Sequence, residues 1–422
     1  MQSTIRCVKN AKRFATESGL DRLLKTRLLN SIWAVGLLAA LAIPVCVVAQ
    51  GEQQGSAERV QHYTVTDLGP VGGPPGQPYG ISNNGLVVGA AASSATIMHA
   101  VLWYNTLKID IGTPGLGGPN SAGFGVNELG QVVGQAESSV PNNEDFCGFN
   151  AFGFPSFTAC LPFVWQFGQM TKLQTLGGAN GVAIGINNRS EVAGYAETTN
   201  ADPNPACAVS QFEPVIWERG QIHELPTYPG DTDGIAIMIN DKGQGVGASG
   251  ACATFNPLSG FYFMDVHAML WESDGSYHDL GNLGGTGAYP VGNFALAINN
   301  QGQVVGHSNL PNNTTFHAFL WTSETGMQDL GTLPGDVASL AIDINDGGEA
   351  VGASLDANFN LHPVLWENGA PVDLNTLVVS NAAKLTLQLA WSINSRGEIV
   401  GFAATSTGET HGFLATPQRP RI

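Results

Sequence analysis

Short apolar runs separated by turn residues recur along most of the chain, and they repeat as a three-part unit. The first part is an Asn-containing turn followed by a Val-rich run that ends in Gly. The second is an apolar pentapeptide that usually ends in Trp, and the third is an Asp-Leu-like segment. Seven such units can be aligned, and repetition at a period of about 50 residues is typical of propellers and related arrays.

Each unit begins with a predicted β-hairpin. Asn or Asp followed shortly by Gly between apolar runs is typical of a tight hairpin, because Gly tolerates the left-handed backbone conformation. The pentapeptide and the Asp-Leu segment predict two further strands, so each unit has four. The residue seven positions before the final Gly is Asn in six of seven units: Ser82, Asn127, Asn187, Asn240, Asn299, Asn345 and Asn394.

Both faces of the pentapeptide strand are apolar. In the copy that ends at Trp321, Phe319 and Trp321 point to one face while Ala318 and Leu320 point to the other. A sheet with one face in water would alternate with polar residues. Sheets stacked around an axis bury both faces, so the sequence predicts an all-β fold, a seven-bladed β-propeller of four-stranded blades, over residues 63–417.

An orphan segment before the first unit is expected to close this ring. Tyr63 to Gly69 resembles an Asp-Leu strand, whereas the last unit stops after its pentapeptide at Ala415 and has no such strand of its own. We therefore expect the N-terminal strand to complete the last blade, so that the two chain ends lock together and no long edge strand stays exposed.

The phrases HAFLW, DLGTLPG and AINNQGQVVG resemble those of the HAF-repeat family, whose members are described as extracellular bacterial proteins. The resemblance covers Tyr63 to about Pro417 and recurs seven times. It implies export and a repeat architecture, and it carries over no functional residue. Leu161 and Glu213 stand where the family pattern has His.

Residues 1–49 are predicted to be an export signal, either a cleaved signal peptide or a retained signal anchor. Residues 1–31 carry seven basic and two acidic residues, and an uncharged apolar stretch of 18 residues follows from Ile32 to Ala49. Small residues at Val47 and Ala49 favour cleavage after Ala49, but the stretch is also just long enough to span a bilayer. Residues 50–62 are interpreted as a polar linker and residues 418–422 as a tail. The expected location is extracellular or at the cell surface, with the periplasm as an alternative.

The charge of the exported part excludes some partners. Removal of residues 1–49 leaves 10 basic and 32 acidic residues, a net charge of −22 over 373 residues. Such a chain repels nucleic acid and anionic lipid, so neither is an expected partner. A membrane is expected to be reached only through an uncleaved N-terminal anchor. The expected partner is an unknown ligand, such as a glycan or another surface protein, and no cofactor is expected.

Four cysteines follow the export signal, and an even number in an oxidising compartment predicts disulfides. Of the three possible pairings we favour Cys147 with Cys160 and Cys207 with Cys252. Their spacing matches no zinc site, because thiolate ligands usually come as close CxxC pairs. No metal site is predicted. The His residues of five pentapeptides occupy equivalent places in different blades, so they are expected to have structural, hydrogen-bonding roles.

Insertions collect on one side of the predicted ring. Between the closing Gly and the pentapeptide, the seven units have 9, 26, 18, 19, 10, 9 and 9 residues, whereas the hairpin never changes length. In a four-stranded blade these connections and the hairpins lie on opposite faces. The sequence therefore predicts a binding face over blades 2 to 4.

Aromatic and acidic residues in these connections are the predicted ligand-binding residues. Two interpretations of the aromatic residues stay open: a small buried core under a disulfide-stapled flap, or an exposed platform for a sugar or a protein partner. The predicted residues are Phe149, Phe154, Asp231, Asp233, Phe261, Tyr262 and Asp265.

The sequence favours a secreted or surface-tethered binding or adhesion module. It contains no GxSxG, HExxH or Walker motif, so no catalytic residue is predicted. The alternative is a secreted carbohydrate-active hydrolase or lyase, because rim carboxylates such as Glu144, Asp145 and Asp202 would suit such chemistry if two of them were paired. A structural spacer without a specific ligand is a third interpretation.

Overall fold

The computed structural model describes residues 61–418 except 73–75, 106, 143–145, 150–152, 155–156, 205–209, 257–259 and 288–291, and for 253–256 and 260–265 it describes the backbone only. The predicted export signal, most of the predicted linker and residues 419–422 of the predicted tail lie outside the described residues. Within the described ranges, no helix combines the length and apolar character that crossing a bilayer requires.

The strands form seven sheets, as the repeat pattern predicted. The chain begins with β1 (Tyr63–Pro70). Blade 1 comprises β2 (Gln77–Ile81), β3 (Leu86–Ser94), β4 (Ile97–Tyr104) and β5 (Leu107–Asp110). Blade 2 comprises β6 (Gly117–Val126), β7 (Val132–Pro141), β8 (Thr158–Gln166) and β9 (Gln169–Lys172). Blade 3 comprises β10 (Gly177–Ile186), β11 (Val192–Ala201), β12 (Ser210–Glu218) and β13 (Gln221–Glu224).

The second half of the chain follows the same plan. Blade 4 comprises β14 (Asp233–Ile239), β15 (Gly245–Asn256), β16 (Gly260–Trp271) and β17 (Tyr277–Asp279). Blade 5 comprises β18 (Phe294–Ile298), β19 (Val304–Asn309), β20 (Phe316–Thr322) and β21 (Gly326–Gly331), with a 3₁₀ turn at Pro311–Asn313. Blade 6 comprises β22 (Ala338–Ile344), β23 (Ala350–Leu355), β24 (Leu361–Glu367) and β25 (Ala370–Asp373). A one-turn helix α1 (Leu374–Leu377), β26 (Val378–Asn381), β27 (Thr386–Ile393), β28 (Ile399–Ala404) and β29 (Thr410–Pro417) complete the described chain.

The seven sheets surround one axis. The first strand of each blade contacts the first strand of the next blade all round the ring, so these seven strands line the axis. β1 pairs antiparallel with β29, with Tyr63 opposite Pro417 and Val65 opposite Ala415, so the N-terminal strand closes the ring as predicted. One blade differs from the four-stranded prediction. β26 pairs in parallel with the outer side of β1, so this sheet has five strands.

Neighbouring blades bury both faces of each sheet. Phe319 and Trp321 pack in the cluster between blades 4 and 5, while Ala318 and Leu320 pack in the cluster between blades 5 and 6. The pentapeptide Trp residues also fasten the blades by donating their indole N–H groups to main-chain oxygens of the preceding blade. The pairs are Trp103 with Leu68, Trp217 with Gln174, Trp271 with Pro226 and Trp366 with Leu330, at 2.8–3.2 Å.

The axis is lined by apolar residues at a repeated β-bulge. In every first strand the pairing register shifts at the residue three positions before the turn residue. Tyr79 packs edge-on against Phe124 and Trp391, with ring centroids 5.1 Å apart in both pairs. The bulge residues are Tyr79, Phe124, Ile184, Ile237, Leu296, Ile342 and Trp391. None of them is charged, so the carboxylates of the blade rims are not matched by acidic residues at these axial positions.

The turn asparagines join the blades as well as shaping the hairpins. Asn187 caps its own turn, because its Oδ1 accepts from the main-chain N–H groups of Arg189 and Glu191 at 3.0 and 2.9 Å. Its Nδ2 donates to the main-chain oxygen of Asn240, the equivalent residue of the next blade, at 2.9 Å. Each of the six asparagines makes this inter-blade bond at 2.9–3.1 Å.

These bonds form a circle that we call the asparagine ring, made by Asn127, Asn187, Asn240, Asn299, Asn345 and Asn394. The last member, Asn394, donates to the main-chain oxygen of Ser82 and so reaches blade 1. Ser82 cannot continue the circle in the same way. Asn84 instead donates from its Nδ2 to the main-chain oxygen of Glu128 at 2.9 Å. The hairpin that the sequence predicts is therefore also the contact that ties each blade to the next.

Candidate functional site

The two faces of the propeller are different in kind. The hairpin face carries the turns between first and second strands, the asparagine ring and the turns between third and fourth strands. The loop face carries the connections between second and third strands and those between blades. The insertions of blades 2 and 3 are on the loop face, as predicted. In blade 4 the insertion lengthens two paired strands, β15 and β16, which stay in register as far as Asn256 opposite Gly260.

A disulfide closes the insertion of blade 2. It joins Cys147 to Cys160, the pairing that the sequence favoured. The side chain of Gln135 on β7 donates to the main-chain oxygen of Cys147 at 2.8 Å and so holds the insertion against its own blade. Cys252 is also disulfide-bonded, and Cys207, its predicted partner, lies outside the described residues.

The aromatic residues of this insertion form a buried core. Phe149 is fully buried and Phe154 is 5% exposed. Phe146, next to them, packs against Tyr195 and Phe212 of blade 3, at centroid distances of 5.7 and 6.3 Å. Neither Phe149 nor Phe154 can therefore touch a ligand at the surface, which corrects their prediction as binding residues. The insertion has to bury its own apolar groups before it can hold a fixed shape.

Part of the insertion does remain on the surface. Phe157 is 55% exposed and Val140 is 59% exposed, and both lie where the insertion leaves and rejoins the blade. The main-chain N–H of Asn142 donates to the oxygen of Phe157 at 2.9 Å, which fixes these two segments side by side. They provide an apolar surface beside the flap. Of the other predicted residues, Phe261, Tyr262 and Asp265 belong to β16, where only the backbone is described.

The five pentapeptide histidines are hydrogen-bonded to carboxylates, as predicted. Three bond to the Asp of the outer strand, and two bond to an Asp in the connection that leads into the blade. The pairs are His99 with Asp110, His267 with Asp231, His317 with Asp329, His362 with Asp336 and His411 with Asp67, at 2.8–3.0 Å. Asp231, one of the predicted binding residues, also accepts from Ser249 Oγ at 2.6 Å. It is therefore engaged in holding its loop.

Blade 3 replaces this His–Asp pair by two acids. Glu213 stands at the His position and Glu224 at the Asp position of the outer strand. Burial raises the pKa of Glu213 to about 8, and the charges of Glu224 and Asp233 add to the shift. Glu213 is therefore protonated at neutral pH and can donate a hydrogen bond. The sequence pattern had marked Glu213 only as a departure from the repeat, and that departure is the signal that locates it.

Asp233 lies next to Glu213, at the boundary between blades 3 and 4. It is fully buried, and its Oδ1 accepts from the main-chain N–H of Phe212 at 3.1 Å. Its Oδ2 accepts from Thr232 Oγ1 at 2.7 Å and from the main-chain N–H of Cys252 at 3.3 Å. These bonds place Asp233 inside the protein, so it can act on a ligand only through a neighbouring group.

Other blades show what is unusual about Asp233. The equivalent Asn180 accepts from the main-chain N–H of Cys160 at 2.9 Å, and its amide donates to buried Glu197 at 2.9 Å. Gly250 of blade 4 occupies the place of Glu197, three residues after the closing Gly. Asp233 has an acid where the other blade has an amide, and it lies against another acid in place of Glu197.

The other acid is Asp202, in the insertion of blade 3. Burial raises the pKa of Asp233 to about 7, and the hydrogen bond and charge of Asp202 raise it further. The Oδ2 of Asp202 is buried and has no hydrogen-bond donor when both acids are ionised. One proton shared by the two carboxyl groups satisfies that oxygen and removes the repulsion between like charges. Asp202, Glu213, Glu224 and Asp233 are called the acid cluster below.

Within the described residues, no three His, Cys, Asp or Glu side chains are grouped so as to hold a metal ion. The acid cluster therefore has to be understood through its protons. At neutral pH it combines protonated carboxyl groups, which donate, with ionised ones, which accept. Asp202 and Glu213 are partly exposed, and Glu224 is exposed, so three of the four members can be reached from the loop face.

A second unusual ionisable residue, His307 of β19, lies in blade 5. It is fully buried between the rings of Phe294 and Phe316, and neither of its ring nitrogens has a hydrogen-bond partner. Burial lowers its pKa to about 3, so the ring is neutral at physiological pH. The equivalent residue of blade 7 is Phe402. His307 therefore fills the same space as an aromatic ring and has no path to a ligand.

Seven four-stranded sectors in a closed ring define the protein as a seven-bladed β-propeller. No protein-family model matches the chain, and no curated protein matches it. The resemblance to the HAF-repeat family therefore stays a prediction.

Some solved structures show low similarity to this chain. A gluconolactonase from Xanthomonas campestris is 11% identical, covers 61% of this chain and 79% of its own, and has a TM-score of 0.34. An ulvan lyase from a new polysaccharide lyase family is 12% identical, covers 86% and 97%, and has a TM-score of 0.41. AofleA from Arthrobotrys oligospora is 11% identical, covers 74% and 85%, and has a TM-score of 0.37. Similarity this low carries no information about the function of this chain.

Proposed function

We propose that this protein is an exported binding module of the HAF-repeat type, whose loop face over blades 2 to 4 binds a glycan outside the cytoplasm. The observation that carries the proposal is the acid cluster. It lies on the face that bears the insertions, and it presents both donors and acceptors at neutral pH. Sugar hydroxyl groups donate and accept hydrogen bonds in the same way, so they match such a surface.

Two further observations support this proposal. The Cys147–Cys160 disulfide is typical of proteins that fold in an oxidising compartment. Exposed Phe157 and Val140 add an apolar surface to the same face, and aromatic side chains of this kind pack against the apolar faces of sugars. The buried core of Phe146, Phe149 and Phe154 holds the flap in a fixed shape, which lowers the entropy lost on binding.

The test is a glycan array probed with the full-length protein and with three variants. Asp202→Asn removes an exposed acceptor, and Glu213→His installs the residue that five other blades use. We expect either change to weaken binding at least about tenfold, as for loss of a charged hydrogen bond. Glu324→Gln, on the hairpin face, is the control and should bind as the parent does.

Binding that survives both loop-face variants would reject the proposed site. Binding to no glycan, together with capture of a defined surface protein through the same residues, would replace the glycan by a protein ligand. Retained binding in both loop-face variants together with loss in Glu324→Gln would move the binding face to the opposite side of the ring.

A carbohydrate-active hydrolase or lyase is the second candidate, and the Asp202–Asp233 pair favours it. A carboxyl group whose pKa lies near 7 suits general acid catalysis at neutral pH. Because Asp233 is buried, the proton would have to reach a substrate through Asp202. Turnover of a polysaccharide panel, lost in Asp202→Asn, would establish this activity. Binding without turnover would leave the module as a binding protein.

A further inference from the structure

The hairpin face is not uniform, and its exception lies on blades 1 and 2. Four large apolar side chains there are more than half exposed. They are Tyr104, Leu107, Leu129 and Phe167, and they account for half of the eight exposed large apolar residues in the described chain. We call these four residues the apolar patch.

The members of the patch are neighbours. Tyr104 pairs with both Leu86 and Leu107 across the strands of blade 1. Leu86 comes next to Gly130, one residue after Leu129 in the first hairpin of blade 2. The side chain of Gln166, which precedes Phe167, donates to the main-chain oxygen of Leu129 at 3.0 Å. The patch is therefore a continuous surface across two blades.

Other blades place polar residues at the same positions. Leu129 corresponds to Arg189 in blade 3 and to Arg396 in blade 7. Phe167 corresponds to Asn105 in blade 1 and to Asn368 in blade 6. Turn chemistry explains the Asn residues and cannot explain the Phe.

Phe167 breaks a local rule without any gain in packing. Its φ is 49°, in the left-handed region, where a bulky side chain is strained by about 1 kcal/mol. Its side chain is 87% exposed, so burial returns nothing for that strain. A strained aromatic residue held at the tip of a hairpin indicates contact with something outside the chain.

Charge narrows the kind of partner. The hairpin turns of blades 1 and 2 carry one acidic and one basic residue in the described chain, Glu128 and Lys108. Blade 3 alone has Arg189, Glu191, Glu218 and Arg219 at the same turns. A charge-poor surface with Tyr, Phe and Leu at its tips is typical of contact with the interfacial layer of a membrane, where aromatic residues are favoured.

Both described chain ends leave from this same face. Tyr63 lies opposite Pro417, and Pro417 adjoins Gly397 in the first hairpin of blade 7. Blade 7 is next to blade 1 in the ring. In the sequence, 11 residues separate Ala49, the end of the apolar stretch, from Gln61, and they span at most about 40 Å when extended. A retained stretch would hold the hairpin face towards the bilayer.

We propose that the apolar patch rests on a membrane surface, so that the hairpin face of blades 1 and 2 faces the lipid and the loop face points away from it. This contact is independent of the glycan site. It would also orient that site outward, where a large ligand can approach. The patch has low local charge, so it does not require anionic lipid.

The test is hydrogen exchange on the full-length protein with and without phosphatidylcholine vesicles. We expect the main-chain amides of Tyr104, Leu107, Leu129 and Phe167 to exchange about tenfold more slowly with vesicles present. The equivalent turns of blades 4 to 6, around Asp241 and Glu324, should be unchanged. This readout works whether or not the N-terminal stretch is retained, because an anchor alone protects no particular blade.

Two double variants complete the experiment. Leu129→Arg with Phe167→Asn installs residues that other blades carry, so folding should be kept and the vesicle-induced protection lost. Val140→Ser with Phe157→Asn removes two apolar residues from the loop face and should keep the protection. Unchanged exchange, or protection on the loop face, would overturn the proposal. Protection that grows with protein concentration in the absence of vesicles would show instead that a second copy of the chain covers the patch.

Discussion

The hairpin face and the loop face are built from the same seven units, but different features are constant in each. On the hairpin face, turn length, the Asn position and the inter-blade bond repeat almost without change from Asn127 to Asn394. On the loop face, the connections range from 9 to 26 residues, and the groups that replace one another include an amide and an acid at Asn180 and Asp233.

This difference separates two tasks. The hairpin face sets how each blade meets the next, because the asparagine ring and the strands around the axis make the same contact at every boundary. The loop face lies at the other end of the same strands and can vary without disturbing that contact. Residues that break the repeat on the loop face, such as Glu213, are therefore the best indicators of function in this chain.

The largest effect is expected at the join that both faces share. Deletion of Tyr63 to Leu68 removes the strand that pairs with β29 and the main-chain oxygen that receives the indole of Trp103. We expect aggregation or loss of a cooperative unfolding transition, because the last blade keeps an open edge. Circular dichroism during heating and size-exclusion chromatography test this. A deletion of equal length in residues 52–57 is the control. A fall in Tm of only a few degrees would contradict ring closure by this strand.

The next effect is a pH dependence that arises on the loop face. The folded pKa values of Asp233 and Glu213, about 7 and about 8, lie above the model values of 3.8 and 4.5. The folded protein therefore binds these protons more tightly, and its free energy of unfolding falls as the pH rises from about 4 to about 8. Asp233 alone accounts for as much as about 4 kcal/mol of that fall, at about 1.4 kcal/mol for each pKa unit.

Asp233→Asn tests this dependence with the residue that blades 2 and 3 already use. Urea unfolding of the parent and the variant at pH 5 and pH 8 should show a smaller difference between the two pH values in the variant. Glu324→Gln, on the hairpin face, should leave the difference unchanged. An equal pH difference in parent and Asp233→Asn would show that the acid pair does not hold its proton in the folded state.

The sequence predicted the architecture because each of its rules acts over a short distance. The alternation of Phe319 and Trp321 with Ala318 and Leu320 indicated two buried faces, and the orphan strand at Tyr63 indicated how the ring closes. Both features depend on period and order, which can be counted along the chain.

The site could be predicted less well, because its properties depend on groups that are distant in sequence. Phe149 and Phe154 have the same composition whether they form a core or a platform, and only packing against Tyr195 and Phe212 decides between the two. The raised pKa of Asp233 requires burial and the approach of Asp202 from another loop. The bond from each Asn to the next blade also joins residues about one repeat apart, so the turn pattern reveals only half of its role.

Removal of the Cys147–Cys160 disulfide should be a local change on the loop face. A crosslink across 13 residues contributes about 3 kcal/mol to the stability of the segment it closes. The double variant Cys147→Ser with Cys160→Ser should expose the flap to a protease that cleaves after Phe, at Phe146 or Phe149, before the ring unfolds. Amide exchange at the asparagine ring should stay unchanged, and faster exchange there would show that the two faces are coupled.

The smallest effect is expected from a single member of the asparagine ring, and it bears most directly on how the two faces differ. Asn240→Ser keeps an oxygen that can cap the turn, as Ser82 Oγ does for the main-chain N–H of Leu86 at 3.1 Å. It removes the 3.0 Å bond from Asn240 Nδ2 to the main-chain oxygen of Asn299. Loss of this buried bond should lower the free energy of unfolding by about 1 to 2 kcal/mol.

The reciprocal variant, Ser82→Asn, provides the matched control. It offers the missing donor to the main-chain oxygen of Asn127 and should stabilise the protein by up to about 1 kcal/mol, the net value of one such bond. Urea unfolding measures both variants. If Asn240→Ser costs almost nothing while Ser82→Asn gains nothing, the asparagines serve only their own turns. The regularity of the hairpin face would then reflect turn chemistry, and the blades would be held together by the buried sheet faces and the Trp contacts alone.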